Sequence, residues 1–120
     1  MDTKNVRNMS EMFLNFSAGR IGGMGRLDLS GFDTSNVTDM SVMFYDSYIG
    51  EPVLSSFDTR NVKDMGAMFM GMTTKKLNLS SFDTRNVTNM GSMFNNCGGE
   101  LILGSLNTSN VTNMAYLLFR

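Results

Sequence analysis

Histidine and tryptophan are absent from this 120-residue chain, and cysteine and proline occur once each. Without histidine there is no Ser-His-Asp or Cys-His nucleophile, no imidazole acid–base chemistry and no histidine metal ligand. Cys97 alone forms no intrachain disulfide, and it has no histidine base to activate it as a nucleophile. Charge is also scarce: 18% of residues are charged and the formal net charge is −1. That leaves neither the basic footprint of a nucleic-acid binder nor an acidic tail. No window approaches 18 continuous apolar residues, and the opening Met-Asp-Thr-Lys-Asn is not a basic stretch followed by an apolar one. The expectations are no enzyme activity, no cofactor, no metal, no nucleic-acid partner and no membrane insertion. The opening residues also give no expectation of an export signal.

What is present is repetition. The string at 33–44, Asp-Thr-Ser-Asn-Val-Thr-Asp-Met-Ser-Val-Met-Phe, returns almost unchanged at 58–69 and 83–94, with partial copies at 2–13 and 107–118. Starts at 2, 33, 58, 83 and 107 lie 31, 25, 25 and 24 residues apart, a period that signals one supersecondary unit stacked on copies of itself. The expected organisation is a single solenoid domain over 1–120, of about four to five repeats and incomplete at both ends. Its 42% apolar content suffices for a core shared between repeats.

Each repeat has two halves. Apolar alternation at 27–32, 77–82 and 101–106 predicts short strands, with 52–57 in the same slot and Pro52 at its strand's start because proline cannot donate to a ladder. Val37, Met40, Met43 and Phe44 then form a stripe that predicts a helix of about two turns, too short to be stable unless it packs on its neighbours. The expected fold is an open α/β, leucine-rich-repeat-like solenoid with one short strand and one short helix per turn of about 25 residues. Met9, Met12, Met40, Met43, Met65, Met68, Met90, Met93 and Met114 fall in the stripe and read as core filler.

Asp2, Asp33, Asp58 and Asp83, with Asn107 in the last copy, precede a threonine, and Asn5, Asn36, Asn61, Asn86 and Asn110 follow two residues after it. These are helix-entry residues, so the columns predict caps and inter-turn ladders; calcium between the aspartates is the alternative. Gly19, Gly22, Gly23 and Gly25 fit no phosphate-binding fingerprint, and the Asn-Val-Thr sequons read as turn residues.

With these residues in place, the chain resembles the BspA-type leucine-rich-repeat surface proteins, whose repeat reads close to Leu-x-Leu-Ser-x-Phe-Asp-Thr-Ser-Asn-Val-Thr-x-Met-x-x-Met-Phe. The likeness spans nearly the whole chain; the 31-residue interval, Pro52, Asn107 and the Leu117-Leu118 pair depart from it. The resemblance implies an extracellular or cell-surface location and a non-enzymatic adhesion role toward protein or glycan.

Specificity is expected in the segments that differ between copies: 14–26, 45–51, 70–76 and 95–100. Tyr45, Tyr48 and Ile49 form one candidate contact patch, and Lys75 and Lys76 beside Arg60, Lys63 and Arg85 form a positive one. The alternative function is structural, a subunit stacking on copies of itself into a filament or oligomer through Val6, Met9, Phe13, Val111, Met114, Tyr116, Leu117, Leu118 and Phe119.

Overall fold

A computed structural model describes residues 2–18 and 25–118. Five coils lie one on another in parallel, tied at equivalent residues by the bridges Asn8↔Asp39, Asp39↔Asp64, Asp64↔Asn89 and Asn89↔Asn113. Regular structure among the described residues is four strands of three residues: β1 (Arg26–Asp28), β2 (Glu51–Val53), β3 (Lys76–Asn78) and β4 (Glu100–Ile102). They pair in parallel as β1 with β2 and β3 with β4, giving two separate two-stranded sheets.

No helix forms among the described residues, so the expected α/β solenoid with one helix per turn is overturned. In its place a run of tight turns faces its neighbours. Met40, Val42, Phe44 and Asp46 donate their N–H groups to the carbonyls of Asp64, Gly66, Met68 and Met70 in the next coil; Met65, Ala67, Phe69 and Gly71 repeat this toward Asn89, Gly91, Met93 and Asn95. A two-turn helix would satisfy few of its own backbone groups, whereas this arrangement pairs alternate N–H groups with the next coil at 2.8–3.0 Å. Backbone sign enforces the choice. Glu11, Val42, Ala67, Ser92 and Tyr116 occupy one slot of the repeat, all with φ between 52° and 62°; Asn15, Asp46, Gly71 and Asn96 occupy a second, with φ between 52° and 69°. Left-handed residues four apart cannot propagate a right-handed helix. Val42, β-branched at φ 59°, holds that conformation only because the stack over-determines it.

The strands are shorter than the alternation implied, because Leu29 to Phe32, Leu54 to Phe57 and Leu79 to Phe82 close turns through i→i+3 bonds. Pro52 is the middle residue of β2, not its start, and it explains the division of the sheet. In a parallel ladder alternate N–H groups face opposite neighbours. Glu51 donates toward β1, to Gly25 O, so the nitrogen of Pro52 faces β3 and has no proton to give. The Thr74 hydroxyl lies 3.1 Å from Gly50 O and 3.3 Å from Lys76 O, serving carbonyls at the seam.

The core fills the coil interiors. Phe13, Phe44, Phe69 and Phe94 stack with centroids 5.4, 5.6 and 5.8 Å apart and planes within 7° of parallel, and Phe57 stacks on Phe82 at 6.3 Å. Such offset stacks add to the burial of large apolar rings. Seven of the nine stripe methionines are buried; Met12 and Met114, on the two outermost coils, are about 40% exposed and are not core.

Candidate binding surface

Strand alternation sets the outward face. Pro52 and Leu77 are buried and Leu27 and Leu101 half-buried, while the flanking residues lie outward in two rows: Arg26, Glu51, Lys76, Glu100 and Asp28, Val53, Asn78, Ile102. The first row is in register within each pair, Arg26 with Glu51 and Lys76 with Glu100, so charge alternates along the stack. The second row mixes acid, apolar, amide and apolar side chains. Where the two sheets fail to join, a cleft of about 230 Å³ opens, lined by Arg26, Glu51, Val53, Lys76, Asn78 and Ser80, among others. Cations, a carboxylate, hydroxyls and an apolar floor there can recognise a polar ligand by several different contacts.

The threonine and asparagine columns hold the scaffold and do not cap helices. Thr34 Oγ1 donates to Asp58 O (3.1 Å) and accepts from Asp58 N–H (2.8 Å); Thr3, Thr59 and Thr84 do the same to Asp33, Asp83 and Asn107. All four threonines are buried. Asn36, Asn61, Asn86 and Asn110 reach back to the carbonyls of Lys4, Ser35, Arg60 and Arg85 at 2.6–2.7 Å.

Each aspartate of the column turns onto its own loop. Asp33 accepts the Ser35 hydroxyl at 2.6 Å and its N–H at 3.0 Å, which hold its carboxyl below the usual range. Asp83 is lowered chiefly by the Arg85 side chain, whose Nη2 lies 2.6 Å away, and Asp28 chiefly by Ser30, with a smaller contribution from Arg26. No group of three or more candidate ligands able to hold a metal ion occurs among the described residues. Asp39 and Asp64 accept the N–H groups of Ser41 and Gly66 at 2.8 Å.

The candidate contact residues divide. Tyr48 is 49% exposed and Tyr45 half-buried, but Ile49 is fully buried and offers no contact surface. Arg60 and Arg85 are occupied by Asp58 and Asp83 in their own turns, so the positive area is largely neutralised; Lys63 and Lys75 are exposed, and Lys76 belongs to the strand row. Of the candidate assembly residues, Met9 is buried, while Val6, Phe13, Val111 and Leu117 pack half-buried against the core. Met114, Tyr116 and Leu118 are exposed, and Phe119 lies outside the described residues, as do Gly19, Gly22 and Gly23. The cleft was missed. Its signal was Pro52, a residue without an N–H in a strand slot.

A family profile described as "Mycoplasma protein of unknown function, DUF285" matches residues 1–100 and, shifted along by roughly one repeat, residues 23–120. The chain belongs to the DUF285 family. A profile that fits in two overlapping registers reads the same periodicity as the bridges between coils. No curated protein and no solved structure matches this DUF285 chain.

Proposed function

We propose that this chain is a non-enzymatic binding module of a surface or extracellular repeat protein, contacting protein or glycan through its strand face and the cleft at the Pro52 seam. One observation carries the reading. The inward residues and ladder threonines are nearly the same in every coil, whereas the outward strand residues change from coil to coil while held in register within each sheet. A constant lattice that displays variable side chains in fixed rows suits recognition, because the displayed groups need little ordering on binding. The resemblance to BspA-type surface repeats supports the adhesive role and the location outside the cell.

The test is biolayer interferometry of the chain against immobilised extracellular-matrix proteins and glycans, with a Glu51→Lys/Lys76→Glu double variant beside it. Saturable binding that weakens at least about tenfold in a normally folded variant is expected. Binding that the variant retains in full, or none across the panel, contradicts the proposal.

A further inference from the structure

Across the Pro52 seam, the two walls of the cleft carry opposite charges that do not pair. The ion pairs among the described residues are Lys4–Asp2, Arg26–Asp28, Arg60–Asp58 and Arg85–Asp83, each between residues two apart, and neither Glu51 on β2 nor Lys76 on β3 belongs to any of them. Arg26 is held only loosely, 3.9 Å from Asp28 with both side chains more than half exposed. The hydrogen-bonding groups of the lining are unevenly divided as well. Leu79 N–H donates to Ile102 O in the next coil at 2.8 Å, whereas Leu54 N–H, at the equivalent position beside the seam, has no hydrogen bond among the described residues. Ser80 N–H donates to Asn78 Oδ1 at 3.0 Å, which leaves the Nδ2 of that amide as a donor toward the cleft. Ser55 and Ser80 are exposed beside these groups. Against two cations and these donors, the lining sets one carboxylate, Glu51. In a chain whose net charge is −1, the cleft is therefore a local surplus of donors and positive charge.

We propose that the cleft holds a single carboxylate-bearing sugar residue, with Lys76 and Arg26 on its carboxylate and Leu54 N–H, Asn78 Nδ2 and the serine hydroxyls on its ring and hydroxyl oxygens. This rests on the reading of the chain as a binding module and narrows it to one ligand class. Size supports one unit: about 230 Å³ is below the roughly 300–1,000 Å³ of sites that enclose larger organic ligands. Charge supports an acid, since a neutral sugar leaves both cations without a counter-charge and a cationic ligand meets two like charges. The uncharged donors support a sugar over an acidic peptide side chain, which would engage the cations and leave those donors unmet. Pro52 and Val53 add apolar surface for the C–H face of a ring.

The test is a titration of the isotope-labelled chain at low ionic strength with glucuronate, with N-acetylneuraminate and with glucose, followed by amide chemical shifts. Saturable shifts centred on Leu54, Asn78 and Ser80 are expected with at least one of the two acids, at an affinity at least about fivefold above that for glucose. Lys76→Gln should weaken that binding about fivefold and Glu51→Gln should tighten it, in variants whose remaining amide spectrum is unchanged. Glucose binding as tightly as both acids, no saturable shift at the cleft with either acid, or a Glu51→Gln variant that fails to tighten overturns the proposal. None of these touches the module reading, which stands or falls on binding to matrix proteins and glycans in the interferometry.

Discussion

The fourth and fifth coils carry related sequences yet differ sharply in burial. Met90 and Phe94 are 0% and 2% exposed, whereas the equivalent Met114 and Leu118 are 41% and 60%; Thr84 is 1% exposed, and Thr108 lies open. The difference is the presence of a next coil. Most of a repeat's stability therefore resides in the junction it makes, and the same side chain contributes according to its place in the stack.

Removing an aromatic ring separates the two regions most widely. Phe69→Ala empties a fully buried slot between Phe44 and Phe94 and is expected to cost about 3–5 kcal/mol in urea denaturation, while Leu118→Ala costs well under that. Equal losses would break the comparison. Next comes the threonine ladder: Thr59→Val leaves the Asp83 N–H and carbonyl without their partner and should cost about 1–3 kcal/mol, against almost nothing for Thr108→Val. A large Thr108 effect would show a contact that the fifth coil does not display.

Glycines sharpen the contrast at a smaller scale. Gly71 has φ +69°, and an added Cβ would overlap the Asp46 carboxylate, so Gly71→Ala is expected to cost about 1 kcal/mol or more. Gly31 has open space around its Cα, and Gly31→Ala should stay within about 0.5 kcal/mol of the parent. The smallest effect is on pH. The carboxyls of Asp28, Asp33 and Asp83 titrate below their ordinary value of 3.8, so their contribution is present above that value and is lost as pH falls through the lowered ones. Urea midpoints should decline modestly below about pH 4, less steeply in Asp33→Asn; an unchanged midpoint contradicts the assignment.

The repeat, its spacing and most residues of the core were legible in the sequence, because period and apolar type are visible in a linear string; Met12 and Met114, which are exposed, and Ile49, which is buried, are the exceptions. The helix was not there to be read. Val37, Met40, Met43 and Phe44 match a helical stripe, but nothing local to them reveals that their backbone is paired with a coil 25 residues away. A signal did exist nearby: Asn15, Asp46, Gly71 and Asn96 are the residue types that tolerate the left-handed conformation, and they fall in one column. The buried state of Ile49 followed from the same error, since a loop after a helix is outside whereas a side of a coil packs inward. The two arginines were read as a positive patch without the aspartate two residues before each. The cleft depends on which way one proline nitrogen faces, a property of pairing that composition does not carry.

The account rests on backbone bonds running between coils rather than within a helix. The most direct measurement is the set of scalar couplings across hydrogen bonds in an isotope-labelled sample. Couplings from the Val42 and Ala67 amides to the Gly66 and Gly91 carbonyls are expected. Couplings from those amides to the carbonyls four residues earlier would restore the helix and contradict the stack.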